Sequence, residues 1–183
     1  MTDPYSQPDL IAALDHVRAG LLETVQQMTP QQFTQPIGQG WAAEGYLKHL
    51  LLSVKPMVKG LNLPPEQLSQ MFGQHEGDSK AYHELVALYQ AAIAQGVRAE
   101  DYQPVTPVAY RMPEGIPDEQ TYLAQTWDET HQRLFQAIGH WSEADLDRYQ
   151  LPHPALGAIT LRETLFFTLH HNTLHWHDIQ GGL

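Results

Sequence analysis

His171 and His175 stand four positions apart, in a run that also holds His170 and His177. On a helix that spacing puts two side chains about 6 Å apart along the axis and about 40° apart around it, so both imidazoles can reach one ion. The chain has 11 histidines in 183 residues, and four of them fall between positions 170 and 177, a concentration that composition alone seldom produces. A His-x-x-x-His pair is weak evidence by itself, because surface and hydrogen-bonded histidines share the spacing. His49 strengthens it. It sits centrally in another predicted helix, with Gly45 and Ser53 one turn to either side, leaving space beside the imidazole for a third ligand to approach.

The chemistry available to such a site is narrow. The chain contains no cysteine, which removes disulfides, thiolate nucleophiles and sulfur-ligated zinc together and leaves imidazole and carboxylate as metal ligands. Three imidazoles with a position left open are the arrangement of a catalytic rather than a structural zinc-type site. The expected cofactor is one divalent ion, zinc or nickel first and iron or manganese next, with copper also compatible with imidazole. Asp178, three residues after His175, and Thr168, three before His171, are placed to support the ligand rings from behind. Thr164 extends that polar row beside the stripe of Leu161, Leu165, Leu169 and Trp176. His170 and His177 lie on other faces of the same helix and read as solvated or core-bonded.

Other patterns fail on spacing. His75 and His83 are each followed by Glu, but a zinc-protease helix needs a second His four residues on, where Ser79 and Ala87 stand. Carboxylate-bridged di-iron bundles need repeated Glu-x-x-His; Asp128 and His131 read as a helix-surface pair. No nucleophile elbow, phosphate loop or dinucleotide fingerprint occurs, and Trp41, Trp127 and Trp141 read as core rather than pocket.

The elements that must position these residues are helical. Leu10, Leu14, Val17, Leu21, Val25 and Met28 recur at three- and four-residue spacing and predict a first helix over 9–28, stopped at Thr29-Pro30. After a turn-rich linker over 36–40, a second helix is expected from Ala42 to about Lys59, with Pro56 loosening its last turn. Residues 61–78 read as irregular. Ser79 is the expected cap of a third helix to about Gln95, stopped by Gly96. Four prolines between Gly96 and Pro117 predict a long crossover or lid. Asp118 opens a further helix to about His140, and after a linker over 152–157 the Thr160-Leu161-Arg162-Glu163 capping box opens a last helix to about Asp178. No strand alternation competes, so the fold class is all-α: a helical bundle with one long crossover, forming one domain over 1–183.

Charge and hydropathy exclude other classes. With 10 Lys and Arg against 21 Asp and Glu and no basic cluster, the chain has no footprint for nucleic acid. No run approaches the ~18 apolar residues of a membrane span, and the Asp3-containing start lacks the blocks of a signal peptide, which predicts a soluble cytoplasmic protein.

Two segments resemble one known family. Trp41-Ala42-Ala43-Glu44-Gly45-Tyr46-Leu47-Lys48-His49-Leu50 is similar to the Trp-led second helix of the DinB/YfiT-like metalloenzymes, which ends in a His ligand. Gly157-Ala158-Ile159-Thr160, leading into Leu169-His170-His171-Asn172-Thr173-Leu174-His175, is similar to the family's final helix, whose His pair completes the site. The resemblance covers nearly the whole chain. It implies a four-helix core with an up-down-down-up path plus an extra helix, one divalent metal on His49, His171 and His175, and a homodimer. Characterised relatives include bacillithiol transferases and mycothiol-dependent maleylpyruvate isomerase, which implies a small-molecule substrate and a low-molecular-weight thiol as partner. After its last ligand the family often has a basic residue, then Gly and Gln; this chain has Trp176-His177-Asp178.

The functional expectation is therefore a metal-dependent enzyme, either a thiol S-transferase or a hydrolase. Its alternatives are a non-catalytic metal or small-ligand binding module and a helical interaction protein.

Overall fold

The computed structural model describes residues 4–97 and 102–183; Asp3 and part of the expected crossover lie outside them. Four long helices carry the fold: α1 (Gln7–Gln27), α3 (Ala43–Leu61), α6 (Glu119–Ile138) and α8 (Leu161–Gln180). Both α1 and α3 pack against both α6 and α8. The cause is the periodicity in the sequence, since Leu10, Leu14, Val17, Leu21 and Val25 of α1 are all buried, each worth about 1.5–3 kcal/mol as a fully buried side chain. The chain is all-α in class.

Helix starts follow their caps. Asp118 accepts from the Thr121 N–H at 3.0 Å, and Thr160 and Glu163 make the reciprocal capping box at the head of α8. Pro56 lies inside α3, and the helix runs on past it to Leu61. Met28 closes α1, and Thr29 caps the short α2 (Pro30–Thr34).

Three expectations are corrected. The segment expected to be irregular over 61–78 contains α4 (Pro65–Phe72), anchored by Leu68, its one buried residue. Ser79 does not cap α5 (Tyr82–Ala94): Ala81 holds that position, and Glu84 accepts from the Ala81 N–H at 2.9 Å. Ser79 donates instead to Asp147 of α7 (Glu143–Arg148) at 2.6 Å and lies 2.6 Å from the Thr160 hydroxyl. Because a carboxylate only accepts, the donation runs Thr160 to Ser79 to Asp147. Arg162, 1% exposed, adds a bidentate clamp on Asp147 at 2.6 and 3.0 Å, and this fixes α7 to the head of α8.

The third correction is a hairpin. The linker expected over 152–157 is the tip of a hairpin with antiparallel strands β1 (Gln150–His153) and β2 (Gly157–Thr160), in register from Gln150↔Thr160 to His153↔Gly157. Gly157 has φ 75°, which an L side chain rarely adopts. The hairpin delivers the chain into α8 and packs on α4 and α8.

Candidate metal centre

His49 comes from the middle of α3, and His171 and His175 from successive turns of α8. One ring nitrogen from each lies within 4.8 Å of those of the other two. His49 and His171 are nearly sealed at 1% and 4% exposed, whereas His175 is half-buried. The structure thus brings together the three histidines singled out in the sequence. A tetrahedral ion with ligand bonds of about 2.1 Å needs nitrogen separations of about 3.4 Å, a value bracketed by the 3.0 Å between His49 and His171 Nε2 and the 4.8 Å within which all three lie. The donor set fits a first-row divalent ion.

Neighbours fix the ring orientations. His49 Nδ1 lies 2.7 Å from the Val105 carbonyl oxygen. A carbonyl only accepts, so Nδ1 carries the proton and the neutral ring presents a bare Nε2 to the site. The same logic holds for His175, whose Nδ1 donates to Asp178 Oδ2 at 2.8 Å. His49 Nε2 lies 3.0 Å from His171 Nε2. Burial, then the charges His175 and His49 would carry, pushes the His171 imidazole well below its usual range, so it stays neutral, the state that binds metal.

The remaining assignments divide. Thr168 is buried, but its hydroxyl goes to the Thr164 carbonyl at 2.8 Å or the Met57 sulfur at 3.1 Å, and makes no bond to a ligand ring. His170 meets Tyr89 edge-on rather than joining the triad, and His177 is exposed beside Trp176. The ring of Trp41 lies 5.1 Å from that of His49, while Trp127 is wholly core. Gly45 makes room for Trp41 and Pro107 rather than for the imidazole, since a Cβ there would lie 2.9 Å from Trp41 Cβ and 3.7 Å from Pro107.

His131 is a correction. Expected as half of a surface pair with Asp128, it is 0% exposed, its ring lies 3.8 Å from that of Trp127, and burial lowers its pKa to about 4. Its Nδ1 lies 3.0 Å from the Trp127 carbonyl, and its Nε2 faces Asn172 Nδ2 at 3.1 Å. Asp128 pairs with Arg18 instead.

Two features had no signal in the sequence. One is the Val105 carbonyl, supplied by a 3-10 turn (Gln103–Val105) that packs on α3. The other is a cavity of about 550 Å³ beside the triad, reached by His49 and His171 and walled by α3, α4, α5, α8, the hairpin and the same turn.

A family model described as the DinB superfamily matches residues 13–179. The chain belongs to the DinB superfamily. A search of curated proteins finds no match. Within this DinB-superfamily chain, the matched span includes all three histidines of the triad. Among the described residues no helix is long and apolar enough to cross a membrane.

Proposed function

We propose that the chain is a metal-dependent enzyme acting on a small molecule, with His49, His171 and His175 as the protein ligands of one divalent ion. One observation carries this reading: three imidazole nitrogens within 4.8 Å of one another stand at the wall of a cavity of ligand size. Family membership supports it. A purely structural site would close its fourth position with another protein group, and the group that could hold an ion contains only these three side chains among the described residues.

When bound, a divalent ion there supplies Lewis acidity toward water, a thiol or a carbonyl. The chain's own part is orientation and exclusion. Val105 and Asp178 hold the rings of His49 and His175 with Nε2 toward the site. Burial keeps His171 neutral, and the cavity wall limits the water around a bound substrate. Thiol S-transfer and hydrolysis both fit this arrangement, and zinc or nickel suits the donors best.

The deciding experiment compares chelator-stripped and metal-loaded protein in two assays, thiol addition to an electrophile and hydrolysis of an amide panel. One of the two should accelerate with metal, and His171→Ala should abolish the acceleration. Metal-independent rates in both would replace the enzyme reading with a non-catalytic binding module.

A further inference from the structure

The cavity beside the triad has a mainly apolar wall. Its body is formed by Leu52, Met57, Met71, Phe72, Ile93 and Phe167, and among the described residues the one Lys, Arg, Asp or Glu in its wall is the exposed Lys59. A charged group remote from the triad would be buried there without a partner, which costs several kcal/mol in general. The volume of about 550 Å³ suits a molecule of ordinary ligand size.

Asn172 supplies a second, independent observation. It follows His171 on α8, is 1% exposed and lines the same cavity. Its orientation is determined: His131 spends its Nδ1 proton on the Trp127 carbonyl, so His131 Nε2 can only accept, and Asn172 must turn Nδ2 toward it. Asn172 Oδ1 is then left buried with no partner among the described residues. Such an acceptor is held in place at a cost that a ligand's N–H or O–H would offset.

We infer that the cavity takes a small molecule with an apolar body, no charge remote from the triad and one hydrogen-bond donor close to it, and that Asn172 Oδ1 accepts from that donor. The inference deepens the proposed function, because it takes the cavity as the substrate side of the triad. It points away from hydrophilic thiols charged at both ends.

The probe is N-phenyl-1-naphthylamine, neutral and apolar with a single N–H, whose fluorescence rises on burial. It is compared with 1-phenoxynaphthalene, which has the same shape and no donor, and with glutathione as competitor. Titrations use both chelator-stripped and metal-loaded protein. The amine should bind about tenfold more tightly than the ether, the ratio expected of one neutral hydrogen bond. Asn172→Leu should bring that ratio to about one, and Asn172→Ala repeats the test if the first variant does not fold. Ala155→Trp, which fills the cavity beside the hairpin turn, should weaken both probes about tenfold or more. Millimolar glutathione should displace neither. An amine-to-ether ratio unchanged by both Asn172 variants, insensitivity to Ala155→Trp, or displacement by glutathione each overturns the inference. Failure of the metal reading is separately visible: a chain that takes up no metal but binds the probes as described keeps this ligand class and loses the enzyme assignment.

Discussion

His49 Nε2 lies 3.0 Å from His171 Nε2 across 122 residues of chain. His49 Nδ1 donates to the Val105 carbonyl, so without an ion His171 Nε2–H donates to His49 Nε2 across this contact, and a divalent ion would displace that proton and take both lone pairs. The untagged protein, purified without chelator, should therefore carry close to one first-row divalent ion per chain. Single Ala replacements of His49, His171 or His175 should lose most of it, and those of His75, His83 or His153 should not. Elemental mass spectrometry measures this, and equal retention in all six variants would remove the assignment.

Asp178 accepts from His175 Nδ1 at 2.8 Å and is partly exposed. Asp178→Ala should weaken metal affinity about 10–100-fold, the usual consequence of losing a carboxylate behind a ligating His. The melting temperature of the stripped protein should hardly change. Competition with a chromophoric chelator gives the affinity; an unchanged value would show that Asp178 does not orient the ring.

His131 makes stability depend on pH. Its folded pKa of about 4 lies below the ordinary imidazole value of 6.5, so between these values the unfolded chain binds more protons than the folded one. The stability contributed by neutral His131 is complete above pH 6.5 and is lost as pH falls toward 4, by about 2 kcal/mol between pH 7 and pH 5. His131→Leu should remove about that much of the pH 7 to pH 5 difference in urea unfolding of stripped protein. Its stability at pH 7 should itself fall, because Asn172 Nδ2 loses its partner. The same pH difference in wild type and variant would contradict the buried neutral assignment.

Gly20 on α1 lets the indole of Trp176 lie against the helix: a Cβ there would stand 2.1 Å from Trp176 Cζ2. The indole donates to Thr24 Oγ1 at 2.9 Å. Gly20→Ala should displace the ring and destabilise the fold by about 1–3 kcal/mol, less the gain of about 1 kcal/mol in helix propensity. Urea unfolding followed by tryptophan fluorescence reads both effects. A midpoint at or above wild type with an unshifted emission maximum would refute this packing.

What the sequence determined by itself is whatever depends on period and short range. The stripe from Leu10 to Val25, the caps at Asp118 and Thr160, and the four-residue spacing of His171 and His175 are local patterns, and local hydrogen bonding and one-sided burial suffice to turn them into helices. His49 was tied to that pair by its central helix position between Gly45 and Ser53 and by family likeness, not by periodicity. The short elements escaped because their signal is too brief: α4 has one buried residue, and the four-residue strands of the hairpin carry Pro152 in a position where alternation says little. Tertiary structure alone decided the environments. Whether His131 met water or Trp127, which carbonyl would fix the tautomer of His49, and that Asn172 Oδ1 would be left unpaired at an apolar cavity depend on which side chains the packing of α3, α6 and α8 brings together. Burial and partner, not residue type, set the charge state and orientation of each of these groups; only the Trp127 contact of His131 is local, one helical turn away, and its burial is not.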